Sequence, residues 1–505
     1  MFILLSGRME IIQPDGVGER PVATHDPGEF TGEIVMISGR RSLVRGRVTE
    51  AGEFLEISPE NLRSLIAKDA ELSEVFMRAF ILRRLVLITK GFGDVIVLGS
   101  RHCAGTLRLR EFLGRNGHPY TYVDLDSDSQ AQELLDRFNV TVQQIPVLIC
   151  RGMVVLRNPT VQEVADCLGF NNPVDESQVR DLIVVGAGPS GLAAAVYAAS
   201  EGLNVLVIET TAPGGQAGSS SKIENYLGFP TGISGFELAA RALNQAQKFG
   251  AEIMIAHGVV RLLCSRRPYQ LELDTGQKLT TRTVVIASGA QYNKPSIPNV
   301  SKFEGAGVYY GATNMEAQLC EGEEVIVVGG ANSAGQAAVY LSQYCSKVHM
   351  LVRSGQLSDT MSRYLIERVE THPKISLHFH TEIVALEGDS HLERVQWRDK
   401  DTGEVATIPI RHVFLMTGAN PNTAWLQDCL ALDKKGFIVT GHDLQTDERY
   451  KSLWSSPRSP LLLETSLPGV FAVGDVRAGN VKRVASAVGE GSISVHLVHR
   501  VLAEM

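Results

Sequence analysis

The hydrophobic and polar positions along the chain change rhythm twice, which divides it into three stretches. In the first, up to about residue 88, short alternating runs predict strands, and a helical pattern follows as far as the Arg83-Arg84 pair. Ser58 and Pro59 mark the helix start, because serine accepts an N-terminal amide and proline fits the first turn. The predicted strands are Phe2–Leu5, Met9–Ile12 and Phe54–Ile57.

The second stretch, residues 94–170, alternates apolar strands with helical patterns, which is typical of an α/β unit. A polar, proline-containing run at 171–177 is the best linker candidate. The predicted elements are strands at Asp94–Leu98 and Tyr120–Leu125, helices at Leu107–Gly114 and Gln130–Phe138, a hairpin of Pro146–Cys150 with Val154–Leu156, and a last helix reaching Gly169.

The third stretch begins near residue 180 and opens twice with an apolar strand, a glycine-rich turn and a helix. The two turns start at Gly186 and Gly329. Their separation is too long for a solenoid repeat and fits two nucleotide-binding domains.

The first opening carries the fingerprint of a dinucleotide site. Strand Leu182–Val185 runs into Gly186-x-Gly188-x-x-Gly191, and a second strand ends at Glu209. The glycines allow a tight turn, a close approach to pyrophosphate and close packing of helix on strand. Glu209 is placed to accept hydrogen bonds from ribose hydroxyls, so the ligand is FAD or NAD rather than a 2′-phosphorylated nucleotide.

The second opening departs from that template. Gly329 and Gly330 are followed by Ala331 where a glycine is usual, and the next strand ends at Arg353 rather than at an acid. An arginine there suits the 2′-phosphate of NADPH, so NADPH is favoured over NADH, which stays open. A third segment places Gly474-Asp475 at the end of strand Val470–Val473, where a carboxylate suits a ribityl hydroxyl, and a helix begins near Arg483.

Composition narrows the class further. The 505 residues are 44% hydrophobic with a net charge of −8, so we expect a folded, multidomain chain with no nucleic-acid partner. No apolar run reaches the ~18 residues of a membrane span, and the start lacks the basic region of a signal peptide. We expect a cytoplasmic protein without membrane contact. Its seven cysteines stand at 103, 150, 167, 264, 320, 345 and 429, so the chain has no CxxC and we predict no metal site.

Residues from about 178 to 505 resemble low-molecular-weight thioredoxin reductases. The motifs GAGPSG, PGGQ (213–216), IENYLGFP (223–230), IASGA (286–290), VVGGANSA and FAVGD follow in that family's order. The resemblance implies a homodimeric flavoenzyme with an NADPH domain inserted into an FAD domain. It implies FAD contacts at Gly186, Gly188, Gly191, Glu209, Gly215, Gln216, Asn225, Gly474, Asp475, Arg483 and Ala485. It implies nicotinamide nucleotide contacts at Gly329, Asn332, Ser333, Ala334 and Arg353.

The redox centre of that family is missing from the sequence. The family carries Cys-Ala-Thr-Cys before the second glycine-rich strand, and here Gly311 and Asn314 stand in the two cysteine positions. Dithiol transfer needs two thiols that can close into a disulfide, so the usual thioredoxin reductase mechanism cannot run at this position. Cys320, nearby, is interpreted as a buried small hydrophobe.

The middle unit resembles glutaredoxins and thioredoxins. Cys103 lies at a strand-to-helix junction, where helix amides stabilise a thiolate, and Thr106 replaces the second cysteine. Pro146 matches that family's cis-proline. Whether Cys103 is redox-active or the unit is only structural stays open, and Cys150 and Cys167 are interpreted as core residues.

The N-terminal stretch resembles the second half of a cyclic-nucleotide-binding domain, which implies a partial β-roll. By that resemblance Gly32 and Glu33 would hold the ribose and Arg41 the cyclic phosphate. The alternative is that the arginines at 40, 41, 45 and 47 form a solvated face or a general anion patch.

The sequence therefore predicts an α/β chain with two Rossmann-like three-layer domains behind a thioredoxin-like domain and a partial β-roll. Boundaries are expected at 1–88, 89–172, 178–299 and 418–505 (FAD), and 300–417 (NAD(P)H). We expect an FAD-dependent NAD(P)H oxidoreductase whose acceptor the sequence does not identify. A disulfide, a thioredoxin-like protein, the fused thioredoxin-like domain, a quinone and oxygen all stay open. The alternatives are a ferredoxin–NADP reductase-like enzyme and a nucleotide or redox sensor with little turnover.

Overall fold

The structure is a computed structural model of the chain. It describes residues 1–14, 19–32, 35–38, 42–89, 95–101, 103–126, 135, 141, 144–150, 154–265, 267–357, 361–389, 391–426, 429–454 and 456–505. The predicted helix Gln130–Phe138 lies outside the described residues except for Leu135, and the predicted ligands Glu33 and Arg41 lie outside them as well.

The N-terminal unit forms two small antiparallel sheets against two helices. The Ser58 hydroxyl accepts the Asn61 amide at 3.2 Å and Pro59 opens the long helical region, which confirms the predicted helix start. Phe76 and Phe80 are buried at the centre of this unit. Its elements are β1 (Phe2–Leu4), β2 (Arg8–Pro14), β3 (Glu19–His25), α1 (Val35–Ser38), β4 (Arg45–Glu50), β5 (Phe54–Glu56), α2 (Pro59–Lys68) and α3 (Ala70–Thr89), with β1 pairing β5 and the order β3-β2-β4.

The second unit is a four-stranded mixed sheet in the order β7-β6-β8-β9. Strands β6 and β7 are parallel, and β8 and β9 form the predicted antiparallel hairpin. The Ile145–Pro146 peptide is cis, as predicted. The elements are β6 (Val95–Gly99), α4 (Ala104–Arg115), β7 (Thr121–Asp124), β8 (Val147–Cys150), β9 (Val154–Arg157) and α5 (Val161–Leu168).

The third unit is built on a seven-stranded sheet whose central strands are apolar and buried on both faces, as parallel strands covered by helices require. Strand β15 pairs with β10 and β26 in parallel and with β14 antiparallel. The elements are β10 (Val179–Val185), α6 (Pro189–Ser200), β11 (Val205–Glu209), α7 (Gly215–Gly218), α8 (Gly235–Lys248), β12 (Glu252–Ile255), β13 (Val259–Leu263), β14 (Tyr269–Leu273), β15 (Lys278–Ile286) and β16 (Ala290–Tyr292).

A second parallel sheet is inserted between β15 and β26, in the order β17-β24-β18-β19-β20, with a three-stranded antiparallel sheet beside it. Strands β16 and β25 pair with each other where the chain crosses between the two sheets. The inserted elements are β17 (Val308–Tyr309), α9 (Asn314–Leu319), β18 (Glu324–Val328), α10 (Asn332–Leu341), β19 (Lys347–Val352), α11 (Arg363–Thr371), β20 (Ile375–Phe379), β21 (Thr381–Glu387), β22 (Arg394–Asp399), β23 (Val405–Ile408), β24 (His412–Leu415) and β25 (Ala419–Pro421).

The chain then returns to the seven-stranded sheet through α12 (Asp443–Thr446), α13 (Glu448–Lys451), β26 (Val470–Ala472) and α14 (Val484–Ala503). The long helix α14 packs against α6. A Cβ added at Gly491 would lie 2.2 Å from the Ser190 carbonyl oxygen, so the two helices approach at backbone distance. This contact joins the last helix of the chain to the helix that follows the first glycine-rich turn.

Candidate functional site

A cavity of about 1280 Å³ lies between the two parallel sheets and beneath helix α4. Three separate parts of the chain line it, so its walls exist only in the folded chain. Of the predicted FAD residues, the lining includes Gly186, Gly188, Glu209, Gly215, Gln216, Asn225, Asp475 and Arg483. Of the predicted nicotinamide residues, it includes Asn332 and Ser333.

The first glycine-rich turn presents open backbone to this cavity. Gly186 has φ +103°, and a Cβ there would lie 2.4 Å from the Ala287 carbonyl oxygen, so only glycine fits the turn. Gly188 is the residue before α6, and the nearest described atom to a Cβ built there is the Cα of Gly215 at 3.9 Å. The helix start and the open backbone form a cradle that fits a pyrophosphate.

Glu209 holds this turn together from the end of β11. Its Oε2 accepts the Ala187 amide at 2.8 Å, and its Oε1 accepts the amides of Thr211 and Ala212 at 3.0 and 3.3 Å. The side chain is buried yet lines the cavity. Because a carboxylate has about four acceptor positions, Glu209 can also accept ribose hydroxyls, as the sequence predicts.

Asp475 faces the cavity from the other side. Burial raises the pKa of its carboxyl, Lys482 lowers that pKa in part, and Glu490 raises it further. Glu490 fixes the local backbone, since its Oε2 accepts the Gly474 amide at 2.7 Å. Arg483 is the residue directly before α14 and lines the cavity. Gly191, Gly474 and Ala485 support these elements without lining the cavity.

The second glycine-rich turn reaches the same cavity through the start of α10. Tyr292, which sequence reasoning missed, lines the cavity next to Ser333; burial raises the pKa of its hydroxyl and a hydrogen bond with Ser333 opposes that shift. Arg353 is exposed just after β19. Arg353, Gly329 and Ala334 lie outside the cavity lining.

The segment at 311–314, where the sequence predicts that the family's dithiol is replaced, also lies at this cavity. Gly311 and Thr313 line it, and the Glu316 carboxylate accepts the Thr313 amide at 2.8 Å while lining it too. Burial raises the pKa of Glu316. This segment therefore faces the predicted flavin site.

Helix α4 closes the cavity from above, which the sequence did not predict. Arg115 Nη2 donates to the Gly215 carbonyl at 2.8 Å, and Asn116 Nδ2 donates to the Thr211 carbonyl at 3.1 Å. A Cβ built at Gly305 would lie 3.2 Å from the Cβ of Ala104. Cys103 is the residue just before α4. It is half-buried and does not line the cavity. The lining residues of α4 are Ala104, Leu107, Arg108, Glu111 and Arg115.

Two cysteine contacts were also missed from the sequence. Cys264 and Cys429 form a disulfide beside the cavity-lining Trp425 segment. Cys320 is buried, as predicted, but its Sγ lies 3.6 Å from the Sγ of Cys345. Both pairs join residues far apart in the chain, so residue spacing gave no signal for either.

The N-terminal unit places Gly32 beside a helix of the same unit. Gly32 has φ +114°, and its carbonyl accepts Arg83 Nη1 at 3.0 Å. The Arg83 guanidinium also lies 4.6 Å from the centre of the Phe30 ring. Burial lowers the pKa of Arg83. Gly32, the one described member of the predicted nucleotide triad, is thus held by α3.

Residues 180–491 match the family model for pyridine nucleotide-disulphide oxidoreductases. The chain belongs to this family. Enzymes of its thioredoxin reductase branch use FAD and NADPH, and the open cradle at Gly188 and the acceptors Glu209 and Asp475 fit such nucleotides. Residues 1–69 match the cyclic nucleotide-binding domain, which confirms the predicted N-terminal resemblance.

The family assignment rests on the last two thirds of the chain. It is 34% identical to a thioredoxin reductase of Treponema pallidum over 317 residues, covering 63% of this chain and 95% of that protein. It is 30% identical to that of Bacillus subtilis over 333 residues, covering 66% and 98%. This protein is accordingly a flavin-dependent NAD(P)H oxidoreductase with a mixed α/β fold.

Solved structures give the same result. The thioredoxin reductase of Lactococcus lactis has a TM-score of 0.57 and 26% identity, covering 65% of this chain and all of that one. The T. acidophilum enzyme has a TM-score of 0.57 and 28% identity, covering 64% and 99%. The predicted pair of Rossmann-like domains is confirmed. Among the helices in the described part of the chain, none is long and apolar enough to cross a membrane.

Proposed function

We propose that this chain is an NADPH- and FAD-dependent reductase whose electron acceptor is a disulfide formed on Cys103 of the fused thioredoxin-like unit. The observation that carries the proposal is the position of α4. This helix begins directly after Cys103, lines the cavity that holds the predicted flavin residues, and is hydrogen-bonded to Gly215. The bound cofactors supply hydride transfer from NADPH to flavin.

The residues of the chain bind the two nucleotides and hold them in position. Gly188 and Gly215 receive the pyrophosphate, Glu209 the adenosine ribose and Asp475 the ribityl chain. Ser333 and Asn332 at the start of α10 receive the nicotinamide nucleotide, and Arg353 provides the charge for a 2′-phosphate.

The replacement of the family's dithiol defines where the acceptor enters. Gly311 and Thr313 line the cavity, and Gly305, a few residues earlier, packs against Ala104. A domain carrying its own cysteine can therefore approach from the side where other reductases keep two thiols. Reduction of a mixed disulfide on Cys103 consumes two electrons and two protons, breaks the S–S bond, and yields the Cys103 thiol and the partner thiol.

Anaerobic stopped-flow tests both steps of this proposal. NADPH is expected to bleach the flavin absorbance faster than NADH, and addition of a low-molecular-weight disulfide should restore it. Cys103→Ser should keep the bleaching and lose the reoxidation by disulfide, while the control Cys167→Ser keeps both. A flavin that neither coenzyme reduces would refute the proposed reductase activity. Unchanged disulfide turnover in Cys103→Ser would show that the Cys103 thiol takes no part in the reaction. Reoxidation by ferredoxin alone would favour the ferredoxin reductase alternative.

A second proposal, that a cyclic nucleotide modulates this activity, is supported by the packing of the N-terminal unit. Helix α1 lies against α8 of the flavin unit, with a cavity of about 300 Å³ lined by Ile37, Arg63 and Gln247 between them. Helix α8 in turn touches α7, since a Cβ at Gly235 would lie 1.8 Å from the Ala217 carbonyl oxygen. A shift of α1 on nucleotide binding would reach the Gly215 turn.

Thermal unfolding with cyclic AMP or cyclic GMP tests this second proposal. A ligand that binds only the folded state raises the melting temperature, and the rise grows with the logarithm of the ligand concentration above the dissociation constant. We expect stabilisation by a cyclic nucleotide and none by the linear monophosphate at the same concentration, together with an altered rate of flavin reduction. Equal melting temperatures with and without every nucleotide would contradict it.

A further inference from the structure

Two buried thiols of the inserted domain lie side by side in two hydrogen-bonded turns. Cys320 follows α9, and Cys345 lies in the turn between α10 and β19; their Sγ atoms are 3.6 Å apart and neither side chain is exposed. A disulfide bond requires about 2.05 Å, so closure needs a movement of about 1.5 Å between the sulfurs.

The two turns are already held in register beside the sulfurs. The Gly322 amide donates to the Tyr344 carbonyl at 3.0 Å, and the Ser346 amide donates to the Glu323 carbonyl at 3.0 Å. Two backbone bonds of opposite direction thus flank the cysteine pair. The closing movement is therefore confined to the side chains and small adjustments of two connected turns.

The surroundings assign different roles to the two sulfurs. The Cys320 thiol donates to the Glu316 carbonyl at 3.0 Å, which favours its protonated form. The hydrogen bond with Cys320 lowers the pKa of Cys345, burial opposes that shift, and the charge of Lys374, whose Nζ donates to the Cys345 carbonyl at 3.0 Å, lowers the pKa further. Cys345 is therefore the better nucleophile and Cys320 the better resolving thiol.

We propose that Cys320 and Cys345 form a redox site that hydrogen peroxide oxidises to a disulfide. Cys345 attacks one peroxide oxygen, the O–O bond breaks, and a sulfenic acid and one water result. Cys320 then displaces the hydroxyl of the sulfenic acid, which forms the S–S bond and releases a second water. Two thiols lose two electrons, one peroxide molecule gains them, and the protons end in the two waters.

Burial selects the class of oxidant. Because neither sulfur is exposed, a bulky disulfide cannot approach along the line of the S–S bond that exchange requires. Hydrogen peroxide is close to water in size and reaches buried thiols through small fluctuations. The site is thus expected to respond to peroxide and not to glutathione disulfide.

Closure would also act on the flavin cavity. Cys320 lies at the end of α9, and the start of the same helix carries Glu316 and the Thr313 contact that line the cavity. A disulfide from Cys320 to Cys345, just before β19, would restrict the movement of this short helix. Oxidation is therefore expected to rigidify the segment that stands in place of the family's dithiol.

The test uses the full-length holoprotein with hydrogen peroxide or glutathione disulfide as the probe. After exposure, denaturation and alkylation, digestion should release a cross-linked peptide pair containing Cys320 and Cys345 after peroxide treatment only. A dithiol reductant should restore alkylation. Cys345→Ser and Cys320→Ser should each abolish the cross-link, while Cys150→Ser, which alters a buried thiol in β8, should leave it intact.

Hydrogen exchange gives a second readout that needs no serine variant. Amide hydrogen exchange in 314–319 of the wild-type protein should slow severalfold after peroxide and recover after reduction. Thiols that stay fully alkylatable after peroxide would overturn the proposal, as would conversion of either cysteine to a sulfinic acid without cross-linking. A cross-link with unchanged exchange would overturn the pinning of α9.

Discussion

The contact of α6 with α14 yields a sharp prediction, because two glycines of one helix differ in their surroundings. Gly491→Ala would place a methyl carbon 2.2 Å from the Ser190 carbonyl oxygen and 3.0 Å from the Cβ of Ala193. At Gly489, two residues earlier on α14, no described atom lies within 4 Å of the added carbon. The same chemical change is therefore a clash at one position and an addition into open space at the other.

The magnitude follows from these distances. A carbon and a carbonyl oxygen need about 3.2 Å or more, so Gly491→Ala must separate the helices by roughly 1 Å. Since the opposing atom is backbone, no side-chain rotation relieves the contact, and overpacking of this kind costs about 1–3 kcal/mol. Alanine also favours a helix interior by about 0.5–1 kcal/mol over glycine, a gain common to both variants. The difference between the two variants therefore isolates the clash.

Urea unfolding followed by flavin fluorescence measures this difference. Gly489→Ala is expected to raise the urea midpoint slightly, and Gly491→Ala to lower it. The free energies of unfolding of the two variants should differ by about 1–3 kcal/mol. Because the starts of α6 and α14 both reach the cavity, flavin retention in Gly491→Ala should weaken about tenfold, which corresponds to about 1.4 kcal/mol. Equal midpoints for the two variants would refute the close backbone approach of these helices.

Three further changes test the site and its supports. In Glu209→Gln, the side-chain NH₂ group faces at least one of the three backbone amides that the carboxylate accepts. The free energy of unfolding in urea, followed by flavin release, should therefore fall by about 2–4 kcal/mol. The control Glu201→Gln, at an exposed position, should leave it unchanged. Burial raises the pKa of Asp475, so its stability contribution is present below about pH 4 and lost as pH rises. Asp475→Asn should therefore stabilise cofactor-free protein at pH 7, by a margin that vanishes near pH 4, yet weaken flavin retention. Cys264→Ser opens a disulfide that spans 165 residues, and calorimetry should show a loss of up to about 5 kcal/mol, matched by wild-type protein under reductant.

Local sequence patterns were sufficient for the elements that carry nucleotides. The turn at Gly186 needs positive φ and the contact at Glu209 needs an acid at the end of the next strand, and both requirements appear as fixed residue types at fixed spacing. The helix start at Ser58 and the hairpin after Pro146 were predictable for the same reason. Each depends on interactions within one short segment or between consecutive elements.

The contacts that the sequence did not predict join segments that are distant along the chain. Arg115 meets Gly215 across 100 residues and Cys320 meets Cys345 across 25, through contacts that no repeat or spacing encodes. Such pairings form only after both sheets and the second unit have packed. The sequence therefore shows where the cysteines stand along the chain but not which residues they contact. The missing CxxC looked like a loss of redox chemistry when read along the chain. In the folded protein the same place is bordered by α4, which begins after Cys103, and underlain by the Cys320–Cys345 pair. The two proposals therefore give these thiols different partners: flavin electrons go to a disulfide on Cys103, and hydrogen peroxide takes electrons from the Cys320–Cys345 pair.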